Sequence, residues 1–136
     1  MWFKNRKKTG KEYLIFETRY SLCMLNAFPY NNGHVMVSPK RHVGDIARLN
    51  KQEVLDLFAS LVRIKKLLDK VLKPDGYNLG MNLSDIAGAG IPGHLHIHLV
   101  PRWKGDTNFM PVAHGVKVIS QSLEELCKAL RGQSGR

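Results

Sequence analysis

The stretch that decides the reading is His94-Leu95-His96-Ile97-His98-Leu99-Val100, HLHIHLV, which holds half of the chain's six histidines at alternate positions. A β-strand has a side-chain period of two, so one strand over 94–101, closed by Pro101, turns all three imidazoles to one face and Leu95, Ile97 and Leu99 to the other. Successive rings are then about 6.6 Å apart at the Cα atoms, and the row spans about 13 Å. A solvated polar face accounts for one or two histidines, but poorly for three in strict alternation.

Upstream of this strand, 84–93 reads SDIAGAGIPG. Its Gly88, Gly90 and Gly93 allow backbone N–H groups to approach phosphate oxygens closely. Farther back, Tyr13-Leu14-Ile15-Phe16 and Tyr20-Ser21-Leu22-Cys23-Met24-Leu25 flank Glu17-Thr18-Arg19 as a hairpin. NAFPYNNG (26–33) marks a turn, and HVMVS (34–38) is a third strand closed by Pro39. Strands joined by short turns imply an antiparallel meander. Residues 77–83 alternate as a fourth strand, and the histidine strand is the fifth.

Between the third and fourth strands lies the one long helix. Asn50 and Glu53 form the two ends of a capping box. Val54, Leu57, Phe58, Leu61, Ile64, Leu68, Val71 and Leu72 make an apolar stripe, and Pro74 and Gly76 end it. This helix covers one face of the sheet. Ser122 and Glu125 open a short C-terminal helix through Leu130. The fold class is therefore α+β: about five antiparallel strands, one long helix and a short terminal one. Residues 1–11 read as a basic N-terminal arm, 12–131 as a single domain and 132–136 as a disordered tail.

Composition agrees with one globular domain: 136 residues, 43% of them hydrophobic. No apolar run approaches the ~18 residues of a membrane span, and no secretory leader is visible. Cys23 and Cys127 fit no CxxC pattern and read as reduced thiols of a cytoplasmic protein. Twenty-one Lys and Arg against 11 Asp and Glu leave a net charge of +10, which favours an anionic partner. The Lys and Arg cluster at the start and along the long helix also suits a solvated surface.

Two chemistries fit the histidine row. Histidines at i and i+2 can share a zinc ion, with Asp85, Asp106, His42 or His114 as further ligands, although none of these has an obvious ligand spacing. Alternatively one neutral imidazole is a nucleophile whose neighbours set its tautomer and charge. The glycine loop and the positive charge favour phosphate chemistry. A non-catalytic nucleotide- or nucleic-acid-binding module is a third reading, with nucleic acid the lesser partner.

HLHIHLV resembles the His-φ-His-φ-His-φ-φ motif of the histidine triad (HIT) superfamily of nucleotide hydrolases and transferases. LNAFPYNNGHVMVSPKRHV (25–43) is similar to the upstream half of that fold. NLGMNL, AGAG and HLHIHLVPRWKGDTNFMPV (within 78–112) look most like its diadenosine tetraphosphate phosphorylase-like branch. The resemblance spans roughly 12–131. It implies a HIT-like sheet continued across a homodimer. It also implies attack of His96 on the α-phosphorus of an adenosine dinucleoside polyphosphate, or of a nucleoside phosphoramidate, through a covalent nucleotidyl-histidine. His98 then contacts the reacting phosphate, His94 and His34 hold the nucleophile's ring, and Asn26 binds ribose. The implied substrate is a purine nucleotide or dinucleoside polyphosphate. The nucleophile requires no cofactor, though Mg²⁺ can accompany the polyphosphate. Leu83 and Ile91 stand where many relatives carry a phosphate-binding Gln or Ser/Thr, so Asn82 and Ser84, beside Gly88 and Gly90, are the candidate substitutes. Trp103 is a candidate at the substrate end. Asn108 and Phe109 are weighed evenly between packing and binding, Leu25 and Met36 are assigned to the core, and His42 and His114 to the surface.

Overall fold

The computed structural model describes residues 13–84, 93–106 and 122–135. Within them the chain forms β1 (Leu14–Glu17), β2 (Ser21–Leu25), β3 (Val35–Pro39), α1 (Lys51–Leu72), β4 (Gly76–Met81), β5 (Ile97–Arg102) and α2 (Leu123–Ser134). The five strands make one antiparallel sheet in the order β1-β2-β3-β5-β4. The first three follow the expected meander. The last two are exchanged because α1 carries the chain across the sheet before β4 begins.

Alternation sorts the strand residues onto two faces. Cys23, Leu25, Val35, Val37, Ile97 and Leu99 join Leu57, Leu61, Ile64 and Leu68 of α1 and Leu126, Cys127 and Leu130 of α2 in one buried core. Leu25 is thus core, as expected. The opposite face carries the cross-sheet row Gly80–His98–Met36–Met24, which puts the half-buried Met36 beside a histidine rather than in the helix-side core. Both cysteines are free and buried.

The capping box on α1 is closed: Glu53 N donates to Asn50 Oδ1 at 2.8 Å and Asn50 N to Glu53 Oε2 at 2.9 Å. A polar seam ties the helix to the β1–β2 turn. There Asp56 Oδ2 accepts from the hydroxyls of Ser21 and Thr18, and Ser21 Oγ lies 2.7 Å from the buried Ser60 Oγ. That seam turns the helix away from the expected apolar stripe. Ser60 and Leu67 are buried, whereas Val54 (43% exposed) and Phe58 (62%) face outward.

Two further expectations are corrected. The histidine strand is shorter than 94–101: β3 pairs with β5 only from Val37–Ile97 onward, while Ser38 and Pro39 pair with β2 alone. The tail expected to be disordered over 132–136 is helical through Ser134, where Arg63 Nη2 donates to Ser134 Oγ at 2.7 Å. The basic arm, Asp85, Gly88, Gly90, Asn108, Phe109 and His114 lie outside the described residues.

No helix is long and apolar enough to cross a membrane among the described residues. Lys51, Arg63, Lys65, Lys66, Lys70 and Lys73 are all exposed, a solvated face of α1 and its C-cap.

Candidate active site

β3 and β5 lie side by side and bring histidines from two distant parts of the chain together. The turn 26–33 positions the first. Gly33 has φ +81°, and a Cβ there would stand 2.5 Å from Leu72 Cδ1 and 3.0 Å from Pro101 Cγ, so only glycine lets the chain pass under β5 into His34. His34 is fully buried, and its carbonyl accepts the Asn26 N–H at 2.9 Å.

Three hydrogen bonds assign the protons. The Tyr30 N–H donates to His34 Nδ1 at 3.1 Å. A backbone N–H only donates, so Nδ1 is the acceptor and neutral His34 carries its proton on Nε2. His34 Nε2 is 2.8 Å from His98 Nδ1, and it donates there. His98 in turn presents Nε2–H outward. His96 Nδ1 lies 3.2 Å from the His94 carbonyl, which only accepts. His96 therefore holds its proton on Nδ1 and leaves a lone pair on Nε2.

Ring contacts follow the same chain. His34 and His98 are 5.0 Å apart between centroids, and His98 meets His96 edge-on at 4.8 Å. Tyr30 covers His34 at 4.7 Å and stacks over His98 at 6.1 Å. His94 does not extend this row; its ring stacks on His42 at 5.3 Å and 11°.

Electrostatics favour the neutral form of two of these rings, His94 and His98. Burial first, then charge on His42 and His96, lowers the pKa of His94. Burial and then His96 lower that of His98. A second positive imidazole at this spacing is unfavourable, and His98 therefore holds its neutral form, with Nε2–H as a donor, more firmly than a free imidazole does.

The structure thus brings His34, His96 and His98 together, with Asn26 beside them. Asn26 Nδ2 faces the His34 ring at 3.4 Å, and its Oδ1 accepts from Phe28 N at 2.9 Å. Asn82 stands one step beyond the Met81–Ile97 pair, at the His96 end of the ladder. Ser84 follows it, exposed and with φ +67°. Trp103 is half-buried at the far end of β5, about 16 Å along the strand from His98. There it shares a turn with Asp106, whose carboxylate accepts from Arg102 Nε (2.7 Å), Asn31 Nδ2 (2.9 Å) and Trp103 N (3.1 Å). Those bonds use the carboxylate that was a candidate zinc ligand. Among the described residues no group of three or more His, Cys, Asp or Glu is arranged to hold a metal ion.

Two contributors escape a reading of side chains. Tyr30 acts through its backbone N–H, which carries no residue-type signal. His42, assigned to the surface, is exposed on one side and stacked on His94 on the other.

A family model described as the HIT domain matches residues 7–105. An AP-4-A phosphorylase of Mycobacterium tuberculosis (strain CDC 1551 / Oshkosh) is 40% identical over 113 residues, covering 83% of this chain and 58% of the relative. An asymmetrical bis(5'-nucleosyl)-tetraphosphatase of Schizosaccharomyces pombe is 33% identical over 93 residues, covering 68% of this chain and 50% of the relative. The chain therefore spans about half the length of these curated relatives, 58% of one and 50% of the other. A hypothetical histidine triad nucleotide-binding protein from Sulfolobus tokodaii strain7 superposes with a TM-score of 0.74 at 25% identity, over 90% of this chain and 83% of that one.

Proposed function

This chain belongs to the HIT domain family, and we propose that it cleaves dinucleoside polyphosphates at the α-phosphorus with His96 as the nucleophile. The observation that carries this reading is the proton assignment: His96 has a free Nε2 lone pair next to a His98 that presents Nε2–H. The names of the relatives, a phosphorylase and a tetraphosphatase, support the substrate class.

In the first step His96 Nε2 forms a bond to the α-phosphorus as the bond to the bridging oxygen breaks. The leaving nucleoside polyphosphate departs as an anion with the electron pair of that bond, and its oxygen accepts a hydrogen bond from His98 Nε2–H, which keeps its proton. The positive charge on the phosphorylated His96 ring is balanced by the phosphoryl oxygens and supported by the His94 carbonyl at Nδ1–H. In the second step an acceptor attacks the same phosphorus, inorganic phosphate as the anion or water with loss of its proton to solvent, and His96 leaves as the neutral ring with its lone pair back on Nε2. Asn26 contacts the ribose, and Asn82, Ser84, Gly88, Gly90 and Trp103 serve the phosphates and the distal nucleoside. Mg²⁺ enters with the polyphosphate as part of the substrate.

We further propose a homodimer. β4 is paired with β5 on one side only among the described residues, and its Leu79 is 56% exposed, so a second β4 can extend the sheet. Sedimentation equilibrium at micromolar concentration tests this; a monomer mass contradicts it.

Product analysis tests the activity. The protein is incubated with diadenosine tetraphosphate and Mg²⁺, with and without inorganic phosphate, and the nucleotides are separated. ADP plus ATP formed only with phosphate establishes phosphorolysis, and AMP plus ATP in both arms establishes hydrolysis. No cleavage in either arm refutes the substrate class and directs the assay to nucleoside phosphoramidates.

A further inference from the structure

His94 and His96 precede the sheet ladder, which starts at Ile97. The His94 carbonyl nevertheless has to be held, because it is the group that keeps the His96 proton on Nδ1. The segment that holds it comes from elsewhere. Leu95 N donates to the Val43 carbonyl at 2.8 Å, and Val43 itself is buried. A Cβ on Gly44 would lie 2.9 Å from Gly93 Cα and 3.0 Å from Gly93 C and O, so the two backbones touch with no room for a side chain. His42 completes the strap by stacking on the His94 ring. The strap is fastened at its other end, where Arg41 donates to Glu53 Oε1 at 2.7 Å, to Glu53 Oε2 at 2.9 Å and to the Arg48 carbonyl at 2.8 Å.

We propose that residues 42–44 form a positioning strap for the nucleophile: His42 and Gly44 hold the peptide 93–95 so that the His94 carbonyl locks His96 in its Nδ1–H tautomer. Neither residue touches the reacting atoms, so both are positioning residues. The part of the inference that concerns turnover rests on His96 being the nucleophile; the part that concerns the tautomer does not.

Gly44→Ala forces the two backbones apart and moves the carbonyl. His42→Ala removes the stacked ring, and His42→Phe restores it without a titrating nitrogen. Long-range ¹H–¹⁵N spectra of the histidine side chains, with His96 assigned by its loss in His96→Gln, read the tautomer directly. His96 is expected as Nδ1–H in the wild type and in His42→Phe, and as a mixture with Nε2–H in His42→Ala and Gly44→Ala. Displacing a reacting group by about 1 Å costs up to on the order of a hundredfold in rate, so kcat per titrated active site should fall at least about tenfold in the two disrupted variants. KM should stay within about threefold and His42→Phe should recover most of kcat.

A folded His42→Ala protein with His96 still fully Nδ1–H overturns the proposal. If Gly44→Ala does not fold, the two His42 variants decide. If the wild type turns over no dinucleoside polyphosphate, the proposed function fails while the spectra alone decide the strap. An unchanged tautomer with a lowered kcat also refutes it.

Discussion

His34 Nε2 and His98 Nδ1 are 2.8 Å apart although 64 residues separate them in the chain. With the Tyr30 N–H on the other side of His34, this contact leaves the two rings one neutral tautomeric arrangement, which turns the His98 Nε2–H away from His34. The orientation of the His98 Nε2–H, which we propose faces the leaving group, is thus set by the turn before β3, remote in sequence from His96.

Removing the buried ring breaks this chain. His34→Ala should lower kcat by on the order of a hundredfold, the usual cost of losing one preorganised hydrogen-bond donor to the reacting oxygens, with KM little changed, in steady-state assays with diadenosine tetraphosphate. A wild-type kcat in this variant contradicts the tautomer assignment of His98.

His96→Ala should abolish turnover and leave nucleotide affinity within roughly tenfold, about 1.4 kcal/mol, by titration calorimetry. Persisting turnover would show that another group attacks the phosphorus.

Asn26 Oδ1 holds the turn through Phe28 N, and Nδ2 is the one donor group the side chain can offer a ribose. Asn26→Asp keeps the acceptor that holds the turn and removes the amide donor. It should raise KM severalfold with kcat near wild type, and a lost kcat with unchanged nucleotide binding would remove the ribose role.

The pKa values of His94 and His98 are lowered in the fold, first by burial and then by neighbouring histidines. Protons therefore favour the unfolded chain. Stability should be full above the ordinary histidine value of about 6.5 and decline as pH falls through the lower folded values. Melting temperatures between pH 8 and 5 test the sign, and a flat or rising profile as pH falls is the contrary outcome.

Glu53 is buried, caps α1 and receives two hydrogen bonds from Arg41. The Arg41 bonds first, and then the Asn50 N–H, hold its carboxyl down at about 2. Its stabilisation is therefore present above the ordinary carboxylate value and lost only as pH falls toward about 2. Glu53→Ala should destabilise the protein by about 1–3 kcal/mol in urea unfolding at pH 7. Because Arg41 fastens the strap, the variant should also lower kcat.

Much of this architecture was legible because it rests on short-range geometry. The period of two in HLHIHLV follows from the pleat, and it assigned Ile97 and Leu99 to the core correctly. Asn50 and Glu53 marked the first turn of α1 because a cap is a contact between residues three apart. The stripe on α1 was only half legible. Val54 and Phe58 fit an apolar period as well as Leu57 and Leu61 do, and it is the Asp56–Ser21–Ser60 seam to another element that rotates the helix and leaves the first two outside.

The site divides the same way. The three alternating histidines announced themselves as residues of one type at one spacing, and the resemblance added His34 and Asn26. Their protons were not legible, since the tautomers depend on the Tyr30 N–H and the His94 carbonyl, backbone groups that every residue type supplies. Nor was His42, whose role rests on a ring 52 positions away in sequence. Local periodicity and capping by themselves determined the elements and the sheet face that bears His98, but not the place of His94, which leaves the row to stack on His42. Only tertiary packing decided the strand order and the pairing of His34 with His98, because each depends on a contact between segments whose separation in sequence carries no pattern, while the nitrogen of His96 that keeps its lone pair follows from a nearby main-chain carbonyl that no residue type marks.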